Sequence, residues 1–230
     1  APLRERIRDI EELIPSPILN GYLDQFIKLT PMLQGLRGCP YSCQFCHQSS
    51  KYYNKVSQFT YERVVEEIEY IRKRKNPHNY VIFTDDNFGL LERDILLIEY
   101  FKKSYKDTGW PIWIYISPPK RMNKGFIEAV TNSSGLIRAG IHLQSTNEDT
   151  LKFIKRRMPS HNELKLFKSN FDETIGTKMS NTSLVIPMPY ETFKTYMDAM
   201  RLIIDDYSVE QCNVWTLQAF WGNVFENKKI

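Results

Sequence analysis

The 230 residues are 42% apolar and 25% charged, close to folded-protein averages, which excludes wholesale disorder and supplies enough apolar material for one large core. A formal charge of +4 comes without any long run of like sign, so composition does not indicate a nucleic-acid partner. No apolar run approaches membrane-spanning length, and Ala1 to Pro17 lacks the apolar stretch of a signal peptide.

Residues 1–30 read as a polar lead-in or linker in which Pro15-Ser16-Pro17 forces extended backbone. Residues 31–230 read as the folded domain, and the chain as a segment of a longer protein. Pro31 to Leu36 predicts a short first strand, so the cysteines that follow Arg37-Gly38 lie on the loop after it. Thr60 predicts the cap of a helix carrying Tyr61, Val64, Val65, Ile68 and Ile71 on one stripe. Tyr80 to Thr84 is a continuous apolar run, as in a strand buried on both faces.

A helix through Leu91, Ile95, Ile98, Phe101 and Tyr105 is closed by Gly109, and Ile112 to Ile116 gives the next strand, broken by Pro118-Pro119. Asn123 to Thr131 predicts a helix, Ile137 to Leu143 a fourth strand, and Asn147-Glu148-Asp149 the start of another helix. Residues 161–173 read as helical, Thr182 to Ile186 as strand five, Phe193 to Ile203 as an amphipathic helix and Val214 to Phe220 as strand six. Six short apolar strands alternating with helices argue an α/β fold with a parallel sheet. A partial barrel and an open doubly wound sheet both fit that count. Trp110, Trp113, Tyr115 and Trp215 lie in or beside strands, where aromatics fill cores, so with Trp221 they carry no stacking argument for nucleic acid.

Three of the four cysteines fall in Cys39-Pro40-Tyr41-Ser42-Cys43-Gln44-Phe45-Cys46, a C-x3-C-x2-C run. Thiolates are soft ligands, and three on one loop can converge on a metal centre. A non-catalytic module holding structural zinc through Cys39, Cys43, Cys46 and one histidine is the alternative of another class; against it, His47 adjoins Cys46, adjacent residues rarely ligate one ion, and no second half-site exists. Covalent haem matches Cys43 to His47 but leaves Cys39 unexplained, and clustered thiols in a cysteine-poor chain fit a reducing, cytoplasmic setting. A four-iron cluster on three thiolates would keep one iron open. Cys212, alone near the last strand, reads as a small buried hydrophobe.

Arg37 to Cys46, including the aromatic before the third cysteine, resembles the signature of the radical S-adenosylmethionine superfamily. Phe83 to Gly89, His142 to Thr146 and Leu151 to Arg156 resemble its later motifs in the same order, and the combination is similar to the cobalamin-binding subgroup. The resemblance spans about residues 31–220. It implies a partial (β/α)6 TIM-like barrel, with Cys39, Cys43 and Cys46 holding a [4Fe–4S] cluster. S-adenosylmethionine would chelate the open iron and be cleaved reductively to a 5′-deoxyadenosyl radical. Methyl transfer with cobalamin, bound by a domain absent from this chain, is the reaction the subgroup suggests; a methylthio-transferring or cobalamin-free member is the alternative. The electron donor would be a protein such as flavodoxin or ferredoxin, and the substrate is unknown.

The same resemblance marks cofactor-binding candidates. Asp85, Asp86 and Asn87 end a strand at the rim where barrels place active sites, and offer acceptors to the ligand's amine; turn formation alone also favours such residues there. Gln144 and Ser145 carry donor–acceptor groups suited to ribose hydroxyls, or simply start a helix. Arg156 has the forked donors to pair with a carboxylate, although Lys155-Arg156-Arg157 also suits a solvated helix end. Phe45 is expected to pack beside cluster and adenine. Pro187-Met188-Pro189-Tyr190 stands where the family has a glycine-containing turn, and Gly222-Asn223 only approximates its late Gly-Thr, which puts adenine-side contacts in question.

Overall fold

The computed structural model describes residues 5–74, 77–160, 164, 181–207, 209, 211–219 and 225. Its strands are β1 (Met32–Leu33), β2 (Leu36–Arg37), β3 (Ser57–Gln58), β4 (Tyr80–Phe83), β5 (Trp113–Ile116), β6 (Ile137–Ala139), β7 (Asn181–Ile186) and β8 (Gln211–Thr216). The principal helices are α1 (Ile10–Leu13), α2 (Tyr61–Lys73), α3 (Glu92–Thr108), α4 (Lys124–Thr131), α5 (Glu148–Phe153) and α6 (Phe193–Arg201). β1, β4, β5 and β6 form a parallel sheet in that order. Parallel bridges from Gly140 to Asn181 and from Gln144 to Leu184 carry it on to the parallel pair β7–β8. The strands thus follow one another across the sheet in chain order.

Side-chain alternation separates the two architectures left open above. Leu33, Val81, Phe83, Ile114, Ile116, Ile137 and Ala139 are buried in one core with Val64, Ile68 and Ile71 of α2, Leu97, Ile98 and Phe101 of α3, and Phe126 and Val130 of α4. The alternate residues Tyr80, Ile82, Trp113, Tyr115 and Arg138 are only half-buried. Tyr80 and Trp113 stack at 4.0 Å, with the Arg138 guanidinium over the indole at 4.6 Å. Helices therefore cover one face and side chains fill the other, as in a partial (β/α)6 barrel; a doubly wound sheet would bury both. The expectation that Tyr80 to Thr84 is buried on both faces is corrected accordingly.

Helix ends follow local chemistry. Oxygens of Thr60, Asn123, Asn147 and Thr192 accept from the N–H groups of Arg63, Phe126, Thr150 and Thr195. Gly109 closes α3 in the left-handed region at φ +74°. Residues of the lead-in are anchored: Ile10 and Ile18 join the main core, and Glu11 accepts from the Thr60 N–H and hydroxyl at 3.0 Å each.

Three strand assignments shift. The run Pro31 to Leu36 splits, β1 joining the main sheet and β2 turning away to pair antiparallel with β3. Asp85 causes the break, because its Oδ1 takes the Gly35 and Leu36 N–H groups at 2.7 and 3.0 Å. Strand four ends at Ala139, and the last strand begins at Gln211 rather than Val214. Trp215, expected in the core, is 60% exposed. Most of the helix expected over 161–173, together with Phe220, Trp221 and Gly222-Asn223, lies outside the described residues.

Candidate metal centre

The cysteine loop is clamped from both ends. Gly38, at φ +92°, lies so close to the 53–55 backbone that a Cβ there would meet Lys55 O at 2.1 Å, so only glycine fits. Cys39 N–H donates to Tyr53 O (3.1 Å), Gln44 N–H to Ile154 O (2.9 Å), and Ser49 Oγ–H to Cys46 O (2.7 Å). Held in this way, Cys39 and Cys43 are buried, Cys46 is half-buried, and all three line one cleft of about 180 Å³. The cleft opens among the ends of β4, β5 and β6, at the carboxyl rim of the strands.

The three sulfurs share one neighbourhood with Arg156 and Lys120. Burial pushes the Arg156 guanidinium below its ordinary range, while the thiols of Cys43, Cys46 and Cys39 pull it back up. Burial likewise pushes the Cys46 thiol up, and the neighbouring Cys39 and Cys43 add to that. Lys120 Nζ donates to Cys43 Sγ, and Arg156 Nη1 lies 4.0 Å from the same sulfur. Among the described residues, no three or more His, Cys, Asp or Glu side chains are grouped to hold one metal ion. A four-iron cube instead takes each thiolate on its own iron.

Of the predicted cofactor residues, Phe45, Asp86, Asn87, Gln144 and Arg156 line this cleft with the cysteines. Asp86 is exposed at the cleft mouth, and partial desolvation there raises its carboxyl. Asn87 is 2% exposed and its buried Nδ2 has no partner, as is also true of Gln48 Oε1 at the same cleft. Buried polar atoms left in this way fit a site completed by a ligand. Gln144 takes φ +71°, rare for a side-chain-bearing residue, and is held there by its N–H to Ser183 O (2.7 Å) and by Val185 N–H to its own carbonyl (2.9 Å). Arg156 Nη2 donates to the His142 carbonyl, and the residue is half-buried at the cleft rather than at a solvated helix end.

Asp85 and Ser145 do not line the cleft. Asp85 faces the Gly35–Leu36 backbone behind the cysteine loop. The Ser145 hydroxyl donates to Glu191 and accepts from Asn147 N–H (3.0 Å). This tie bears on the turn that lacks glycine: Thr150 Oγ1 donates to Pro189 O (2.8 Å), Asn147 Nδ2 to Tyr190 O (3.4 Å), and Tyr190 itself adopts φ +68°. The α5 start thus holds the turn without the missing glycines.

Lys120, His142 and Gln48 also line the cleft and were not singled out from the sequence. Lys120 directly follows the Pro118-Pro119 break, and a residue just past a strand end is a rim residue; that was the available signal. Ser183 Oγ accepts from Gln144 Nε2 (3.2 Å) and shares a hydrogen bond with His142 Nδ1 (3.0 Å), which orients the ring at the cleft. Burial, then the Arg156 charge, lowers the His142 imidazole, consistent with a neutral ring.

The sequence model of the Radical SAM superfamily matches residues 33–203. The cobalamin-dependent radical SAM methyltransferase TokK of Streptomyces tokunonensis is 26% identical over 215 residues, covering 88% of this chain and 31% of TokK. The 2-(S-pantetheinyl)-carbapenam-3-carboxylate methyltransferase of Streptantibioticus cattleyicolor is 28% identical over 213 residues, 87% of this chain and 30% of that enzyme. The chain thus spans under a third of the length of these relatives. Among solved structures, the methyltransferase TsrM from Kitasatospora setae, with cobalamin and a [4Fe-4S] cluster bound, superposes with a TM-score of 0.72 at 14% identity, over 88% of this chain and 37% of its own. The cobalamin-dependent enzyme OxsB gives 0.61 at 14% identity, over 91% and 31%. These likenesses show that the fold is shared.

Proposed function

The chain belongs to the Radical SAM superfamily, and we propose that it is the catalytic barrel of a radical S-adenosylmethionine enzyme that transfers a methyl group with the help of cobalamin. One observation carries the reading: three thiols of one loop line a single cleft at the barrel rim, together with Phe45, Asp86, Asn87, Gln144 and Arg156. Cys39, Cys43 and Cys46 would hold a [4Fe–4S] cluster there. Held there, such a cluster would supply the single electron, drawn from an external reductant, that reductive cleavage of S-adenosylmethionine requires.

The residues of the chain position and shield. Arg156, half-buried beside Cys43, offers forked donors for the ligand's carboxylate. Asp86, which lines the cleft, would accept from its amine, and the Asn87 amide, whose buried Nδ2 has no partner, would gain one when the ligand binds. Phe45, packed against the Leu151–Ile154–Val185–Met188 cluster, closes one wall against water. Asp85 and Ser145 are assigned support of the cysteine loop and of the 187–191 turn instead. The methyltransferase reading rests on the two relatives' names; cobalamin would sit on a domain outside this chain, and the reductant would be a low-potential carrier such as flavodoxin or ferredoxin. The substrate is not assigned.

The test is anaerobic reconstitution with iron and sulfide, followed by S-adenosylmethionine and a low-potential reductant. The chain is expected to form 5′-deoxyadenosine and methionine, and Cys43→Ala to lose both iron and product. An iron-loaded sample that leaves S-adenosylmethionine intact refutes the proposal.

A further inference from the structure

Two cations reach one sulfur, and they are not equivalent. Arg156 already commits Nη2 to the His142 carbonyl, and its Nη1 stops 4.0 Å from Cys43 Sγ. Lys120 Nζ makes the closer contact, and its ammonium also lies 4.5 Å from the centre of the Tyr41 ring, a side chain of the cysteine loop itself. Its approach is stiff. Pro118 and Pro119 fix φ at the two residues before it, and Ser117 O, one residue earlier, accepts Phe88 N–H at 2.9 Å. Among the described residues, Cys43 is the only thiol that takes a hydrogen bond from a cationic side chain.

We propose that Lys120 is a positioning residue that sets the reduction potential of the metal centre, by donating a charged hydrogen bond to the Cys43 sulfur. The inference rests on the reading of the three cysteines given above. Reduction adds one electron from an external low-potential reductant, so the centre becomes one unit more negative. A neighbouring ammonium therefore stabilises the reduced form more than the oxidised one, and a donor to a ligating sulfur draws electron density in the same sense. Tyr41 keeps the ammonium at that sulfur instead of letting it turn to solvent.

The experiment compares wild type, Lys120→Met, Lys120→Arg and the exposed control Lys103→Met, each reconstituted anaerobically with iron and sulfide. Samples are poised over a range of potentials with titanium(III) citrate, and the reduced centre is counted by electron paramagnetic resonance. At the wild-type midpoint, Lys120→Met is expected to show a reduced-to-oxidised ratio lower by about tenfold, equivalent to about 59 mV for a one-electron couple. Lys120→Arg should recover most of that, and Lys103→Met should coincide with wild type. Should Lys120→Met fail to load iron, Lys120→Gln makes the same comparison. Coincident midpoints for wild type and the neutral variant overturn the inference, as does an unchanged midpoint with weakened S-adenosylmethionine binding, which would make Lys120 a ligand contact. A wild type that assembles no iron and sulfide overturns the reading of the site, and this inference with it.

Discussion

Asp85 gives the sharpest test of how the barrel supports the cysteine loop. Its carboxylate is fully buried; Oδ1 accepts two backbone N–H groups, while Oδ2 has no hydrogen-bond partner and sits 4.0 Å from Arg93 Nη2. That guanidinium is itself held by Asp94 at 2.8 Å. Burial, only partly opposed by the two N–H groups, raises the Asp85 carboxyl from 3.8 to about 7. The folded protein therefore retains a proton that the unfolded chain releases near 3.8. Stability contributed by this group is full below that value and is lost as pH rises to about 7, by about 4 kcal/mol over the whole window. Asp85→Asn keeps an oxygen for both N–H groups and cannot ionise, so its stability relative to wild type should climb between pH 4 and 7. New amide hydrogens facing Arg93 cost about 1–3 kcal/mol of that gain. Asp85→Ala should instead lose about 2–6 kcal/mol even at pH 5, because the Gly35 and Leu36 N–H groups are left buried without acceptors. Urea unfolding followed by circular dichroism from pH 4 to 8 reads all three proteins. A difference between Asn variant and wild type that stays flat across that range refutes the reasoning.

Two further substitutions probe the frame around the site. Gly89→Ala places a methyl 2.3 Å from the buried Phe126 ring at φ +97°, and is expected to cost about 2–5 kcal/mol in urea unfolding. Phe101→Ala empties a fully buried position edge-on to Phe83 and should cost about 3–5 kcal/mol, with iron content per folded protein unchanged because the ring does not line the cleft.

Much of the frame was legible because its signals are local. The Thr60 cap, the 3.6-residue stripe through Val64, Ile68 and Ile71, and Gly109 at the end of α3 depend on neighbours within a turn or two. The three cysteines were equally plain, since their spacing lies within one loop. Less was legible where partners are distant in the chain. The run Pro31 to Leu36 reads as one strand, and only Asp85, fifty residues on, divides it.

The sequence by itself determined the order of elements, the apolar faces of the helices and the thiol loop, because each is set by side chains that are neighbours along the chain. Tertiary structure alone decided that helices cover one face of the sheet, that Asp85 turns behind the loop while Asp86 and Asn87 face the cleft, and that Lys120 meets Cys43 across 77 residues. The physical reason is that a strand end exposes its successive side chains in different directions, and which of them meets the cleft depends on how the neighbouring strands are placed.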